Sequence, residues 1–262
     1  MKLKMYQVDA FTNKLFLGNP AAVVILESHL NDHIMQSIAS ENNLSETAFV
    51  SIHENPISIR WFTPSIEVDL CGHATLASAR ILFDYYPSLV GEEINFDSKS
   101  GSLKIRKVDQ GLCLNFPADY PIEVESKPLF SEILDIEPIT LLRGKDDYLA
   151  VFKNQQQIEK IQPKFPLLKK VDARGLVISA PGDEVDFVSR CFYPEAGIEE
   201  DPVTGSAHTM LTPYWANQLN KNELNAHQLS KRGGKLYCSL VKERVLISGE
   251  SVIYFEGAIS IV

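Results

Sequence analysis

A chain of 262 residues, 45% hydrophobic and 23% charged, has the composition of an ordinary globular protein and suits one large domain or two modest ones. Its formal net charge of −9 argues against a phosphate-backbone partner, so no nucleic acid is expected. Four cysteines (Cys71, Cys113, Cys191 and Cys238), far apart and without a C-x-x-C pair, argue against a disulfide framework and for a reduced, cytoplasmic setting.

The opening MKLKMYQVDAFT alternates like a strand and lacks the continuous apolar stretch of a secretion signal. After the loop NKLFLGNP, AAVVIL reads as a buried strand, far shorter than the roughly 20 residues of a membrane span. Leu30, Ile34, Met35 and Ile38 fall at helical spacing, with Asn31 placed to cap the start and an Asn-Asn pair to end the helix near Asn42. Strands are predicted at LSETAFVSI, SIRWF and GSLKIRKV, with a helix from Ala74 to about Tyr86 stopped by Pro87. Beyond LCLNFP the chain turns richer in proline and charge, which predicts a domain boundary near residue 117 and halves 1–117 and 118–262. The second half carries a predicted helix near Lys127–Leu134, strands at DYLAVF and GLVISA, and a long helix after Gly205. Strands LYCSL, RVLISG and VIYFEGAIS close it, the last a candidate to pack back on the first half. The stretch NQQQIEKIQPKF reads only as variable surface.

An internal echo organises these elements. IRWFTPSIEVDLCGHATLASA and VSRCFYPEAGIEEDPVTGSAHTML both run arginine, phenylalanine, proline at alternate positions: Arg60, Phe62, Pro64 against Arg190, Phe192, Pro194. Each then passes through an acidic loop, three residues longer in the second copy, to a glycine at a helix mouth, Gly72 and Gly205. The echo predicts an α/β chain of two pseudo-symmetric domains, each a strongly curved, mostly antiparallel sheet or barrel around one central helix. It also predicts two helix N-termini turned to the cleft between the domains, where N–H groups and partial positive charge suit a carboxylate.

Glu46, His73, Asp201 and Ser206 carry candidate chemistry, each with a structural alternative. Glu46 opens a strand among apolar neighbours, where burial raises a carboxyl pKa into a working range; alternatively it faces solvent at a strand end. His73 lies on a first helical turn that disfavours its protonation, and is otherwise a capping or packing histidine. Asp201 and Ser206 stand at the second helix mouth as substrate contacts or as caps, while Thr75 and Gly205 read as parts of an anion cradle. Cys71 with His73 raises a metal site, but no Cys/His cluster at zinc spacing joins them, and His29–His33 lacks the glutamate of HExxH. No metal is expected, and no dinucleotide, nucleotide or serine-hydrolase motif is present.

Taken in order, FLGNPAAVV, NLSETAFV, RWFTPSIEVDLCGHAT and EDPVTGSAHTMLTPYW resemble the phenazine-biosynthesis PhzF-like isomerase family over essentially the whole chain. The resemblance implies a diaminopimelate epimerase-like fold and a cofactor-independent isomerase, often a homodimer, acting on a small carboxylate. It implies Glu46 as acid/base in the interdomain cleft, with His73 and Asp201 assisting proton movement. Substrate would be held by Gly72, Ala74, Thr75, Gly205 and Ser206. Related epimerases and racemases oppose two thiols, whereas here Cys71 is matched by Thr204, whose hydroxyl is far too weak an acid for that exchange. A one-carboxylate proton shift is therefore expected rather than stereoinversion. The alternatives are a non-catalytic ligand- or protein-binding member of the same fold, and an epimerase or racemase.

Overall fold

The computed structural model describes residues 1–125 and 128–261. In chain order the first elements are β1 (Lys2–Ala10), β2 (Asn19–Leu26), α1 (Asp32–Asn42), β3 (Glu46–Ser51), β4 (Ser58–Phe62), β5 (Glu67–Val68), α2 (Gly72–Tyr85), β6 (Glu93–Phe96), β7 (Leu103–Val108) and β8 (Gly111–Pro117). There follow β9 (Ile122–Val124), α3 (Pro128–Leu134), β10 (Thr140–Arg143), β11 (Asp147–Val151), α4 (Gln155–Lys160), α5 (Phe165–Leu168), β12 (Gly175–Pro181) and β13 (Phe187–Tyr193). The chain ends with β14 (Ile198–Asp201), α6 (Gly205–Leu219), β15 (Glu223–Gln228), β16 (Gly234–Val241), β17 (Arg244–Gly249) and β18 (Ser251–Ser260). Two compact units divide it: Met1–Asn115 with the segment from Ser248 onward, and Phe116–Ile247.

In the first unit the sheet runs β18-β1-β2-β3-β4-β5. All pairings are antiparallel except β2 with β3, where α1 supplies the crossover that a parallel pair requires. Asn31 caps α1 by accepting from the His33 N–H at 2.9 Å, and Asn43 ends it in the left-handed conformation that asparagine tolerates. Leu30, Met35, Ile38 and Ala39 pack with Val24, Leu26, Phe49 and Phe62, while α2 also packs against β1, β2 and β3. With helices to cover it, β2 is buried along nearly its whole length, and this is why its sequence is a continuous apolar run rather than an alternating one. From Gly72 to Phe83 only Arg80 of α2 escapes burial, the signature of a central helix. This helix begins at Gly72, two residues before the predicted Ala74.

The second unit strings β16-β15-β13-β12-β11-β10-β9, with β14 on β13. The pairs β11–β12 and β13–β15 are parallel and the others antiparallel. Helices α3, α4 and α5 contribute Phe130, Ile133, Ile158 and Leu168 to a core with Leu176, Ile178 and Phe192. The predicted Lys127 start of α3 lies outside the described residues; the helix is seen from Pro128. Long helix α6 contains Pro213, which cannot donate to the Thr209 carbonyl. That carbonyl instead accepts from the Asp119 N–H at 3.0 Å, so the proline leaves no orphaned acceptor. Both sheets follow open paths among the described residues, which settles sheet against barrel.

The echo has a geometric counterpart. Arg60 on β4 grips Glu67 on β5 through Nε and Nη2 at 2.7 and 2.9 Å, and its guanidinium lies 5.1 Å from the Phe62 ring centre. Arg190 on β13 grips Glu200 on β14 at 2.7 and 3.0 Å and lies 5.2 Å from the Phe192 ring. In each unit a forked arginine–carboxylate pair braces the loop that delivers the chain to a helix mouth.

Candidate active site

In the first unit, β3 begins with Glu46 and α2 begins with Gly72 and His73. His73 Nε2 lies 3.3 Å from Glu46 Oε2, with the two side chains 5% and 13% exposed. Two charges at that distance would make an ion pair, but burial pushes the His73 pKa down to about 3, so the ring is neutral near pH 7. On its other side Nδ1 is 3.1 Å from the Asn19 amide nitrogen. With Asn19 so oriented its N–H donates to Nδ1, which leaves the ring proton on Nε2, facing Glu46.

Cys71 occupies the N-cap position of α2 but makes no side-chain cap bond, and its sulfur sits 3.5 Å from His73 Nδ1. The donor atoms of Glu46, Cys71 and His73 all lie within 4.8 Å of one another. Sequence spacing tests Cys71 and His73 as a pair and passes over Glu46 as a third donor, because only strand–helix packing brings it there. Thr75 is fully buried, and both its hydroxyl and its N–H donate to the Cys71 carbonyl, at 2.5 and 3.1 Å. Its own donors are thus spent inside the helix. The N–H groups of Gly72, His73 and Ala74 have no acceptor within the helix, as in any first turn.

The second unit gathers Asp201, Gly205 and Ser206. Asp201 ends β14 and accepts from the Thr204 hydroxyl at 2.5 Å. Gln228 on β15 accepts from the Thr204 N–H at 2.8 Å and donates to the Asp201 carbonyl at 2.7 Å. Thr204, the N-cap of α6, makes no side-chain cap bond. Ser206 Oγ is 3.3 Å from Arg174 Nη2, and Arg174 is itself forked onto buried Asp147. His208 stands where Thr75 does in the first copy, and its Nδ1 is 2.7 Å from the Thr204 carbonyl. Burial lowers its pKa to about 4.

Sequence reasoning does not identify Asn19, Gln228 or Arg174. Asn19 lies inside FLGNPAAVV and is within reach of a sequence signal; Gln228 and Arg174 carry no local one.

Residues 8–257 match the family described as Phenazine biosynthesis-like protein. The chain belongs to that family. Similarity to this phenazine biosynthesis-like family is close along the whole length. An uncharacterized isomerase of Pseudomonas aeruginosa is 48% identical over 259 residues, covering 99% of each chain. A crystal structure of a PhzF-family phenazine biosynthesis protein from Enterococcus faecalis is 44% identical, covers 100% of both chains and gives a TM-score of 0.96. A hydroxyproline epimerase from Agrobacterium vitis, 8% identical with a TM-score of 0.63 over 98% of this chain and 92% of its own, shares the fold. Relatives of this chain are thus named as isomerases, and the architecture is one that epimerases also use. Among the described residues no helix is long and apolar enough to cross a membrane.

Proposed function

We propose that this chain is an isomerase that moves a proton between two carbons of a small carboxylate substrate, with Glu46 as the single acid/base. The observation that carries the reading is the neutral, buried His73 whose Nε2 lies 3.3 Å from the carboxylate of Glu46, itself only 13% exposed. In the forward step Glu46 takes a proton as a C–H bond breaks, and the electron pair delocalises into the substrate. The same proton then returns to a second carbon, forming a new C–H bond and leaving the enzyme unchanged. His73, with its ring proton on Nε2, steadies the carboxylate and supplies a donor without adding a competing charge. The first-turn N–H groups at Gly72, His73 and Ala74 suit the substrate's carboxylate, since no side chain caps this helix.

Asp201, Gly205 and Ser206 are proposed to position substrate at the second helix mouth. One-base isomerisation is favoured over two-base inversion because Cys71 has no thiol counterpart: the equivalent Thr204 hydroxyl is committed to Asp201. No cofactor is required by this chemistry, and a homodimer is the proposed assembly.

The test is incubation in D2O with a panel of cyclic and amino carboxylates, reading deuterium entry into carbon by mass spectrometry. Glu46→Gln is expected to cut turnover at least about a hundredfold with the fold unchanged by circular dichroism. Full activity in that variant would overturn the assignment.

A further inference from the structure

We propose that Glu46, Cys71 and His73 form a binding site for a thiophilic divalent cation of the zinc class, one sulfur, one nitrogen and one oxygen closing on a single ion. The distances carry the argument. Zinc bonds of about 2.3 Å to sulfur and about 2.0–2.2 Å to nitrogen and oxygen place tetrahedral ligand atoms about 3.4–3.6 Å apart. Here His73 Nε2 and Glu46 Oε2 are already 3.3 Å apart, and Cys71 Sγ is 4.0 Å from the same nitrogen. All three donors fall within 4.8 Å of each other; the sulfur now lies nearer Nδ1, at 3.5 Å, so closing one face of a tetrahedron requires the Cys71 side chain to swing toward Nε2. The fourth position stays open to water or a ligand anion.

The chemistry of the set selects the ion. A thiolate and an imidazole beside one carboxylate suit zinc, whereas magnesium and calcium demand oxygen cages. On binding, the Cys71 thiol proton leaves to solvent as the metal–sulfur bond forms. The His73 ring proton moves from Nε2 to Nδ1 with no net change, freeing the Nε2 lone pair for the metal. Asn19, now 3.1 Å from Nδ1, then accepts that proton's hydrogen bond through its amide oxygen once the amide turns over. A carboxamide behind a histidine ligand orients the ring as outer-shell partners do. Access is through Glu46, the most exposed of the three. Occupancy consumes both the Glu46 oxygen and His73 Nε2, so the bound ion blocks the proton transfer. That consequence rests on the reading given above, but the binding itself does not.

Cobalt(II) is the probe, because a thiolate ligand gives it a near-ultraviolet charge-transfer band. Titration of the purified full chain is expected to develop that band with a single equivalent, zinc displacing the cobalt and magnesium leaving it in place. Cys71→Ser is expected to lose the band, and Asn19→Ala to weaken zinc binding about ten- to a hundredfold. Absence of the band, or its persistence in Cys71→Ser, would overturn the proposal, since the sulfur would then come from Cys113, Cys191 or Cys238. Should Cys71→Ser fail to fold, equal zinc affinity in the wild type, Glu46→Gln and Asn19→Ala has the same force. A band on loading, with no proton-exchange activity in the metal-free protein, would sink the isomerase reading and leave the metal site standing.

Discussion

Two histidines, His73 and His208, are buried and neutral at equivalent helix starts, and their titration links the site to stability. Burial holds their folded pKa values at about 3 and about 4, below the ordinary histidine value near 6.5. The unfolded chain therefore binds more protons between those limits, and folding free energy falls as pH drops. The stabilisation is full above pH about 6.5 and is lost progressively toward pH about 4 and then about 3. By pH about 5 each histidine is expected to cost on the order of 2 kcal/mol. Urea midpoints at about pH 7 and about pH 5 measure this, and His208→Gln should flatten the pH dependence relative to wild type. An identical pH dependence in that variant would show that His208 protonates freely in the folded state. At this scale the sequence made Glu46, His73, Asp201 and Ser206 visible as polar residues inside distinctive motifs. It did not reveal that Thr75 turns its hydroxyl inward, because nothing local distinguishes a back-bonded threonine from a ligand-facing one.

The arginine–glutamate forks belong to the element scale, where the two copies differ in burial. Arg190 is 8% exposed and also donates to the carbonyls of Ile158 and Ile161, at 3.0 and 2.7 Å. Arg60 is 28% exposed, and its further partner Asp32 is 69% exposed. Truncating Arg190 to Ala strands Glu200 and two buried carbonyls, so a loss of about 3–5 kcal/mol is expected. Arg60→Ala removes a more exposed side chain and leaves Glu67 paired with Lys99 and Asp32 open to water, so it is expected to cost about 1 kcal/mol or less. Denaturant midpoints of the two variants compare them, and equal losses would mean that burial does not set the difference. The Arg-x-Phe-x-Pro echo that led to this comparison was legible because it is a pattern of side chains. Short elements were not: β9, β14 and α5 span three or four residues, too few for a period of 2.0 or 3.6 to register. Their formation rests on tertiary partners, as where the Lys164 N–H before α5 donates to the Ile133 carbonyl at 2.9 Å.

At the scale of the chain, the first unit closes on itself through the pairing of its two ends. β1 and β18 run antiparallel from Lys2 opposite Ser260 to Ala10 opposite Ser251, with a bulge between Gln7 and Val8. Alternation in sequence marks both as strands, but no local property states that a segment near residue 5 pairs with one near residue 257. Most β18 side chains are half-buried or exposed, so its contribution comes mainly from backbone bonds to β1. It also comes from two ties to α2: Arg80 Nη1 donates to the Ser251 carbonyl at 3.0 Å, and the Tyr85 hydroxyl to Glu256 at 2.8 Å. Removing residues 250–262 turns β1 into an unpaired edge while leaving its apolar face, Tyr6 and Val8 included, in place. The expected result is a destabilised first unit rather than an unfolded chain. Hydrogen exchange should accelerate at the β1 amides that bond to β18 and along α2, with α6 protected as in the full chain. Unchanged exchange in β1 would mean that the terminal strand is decorative. Equal loss of protection in α6 would mean that the two units unfold as one.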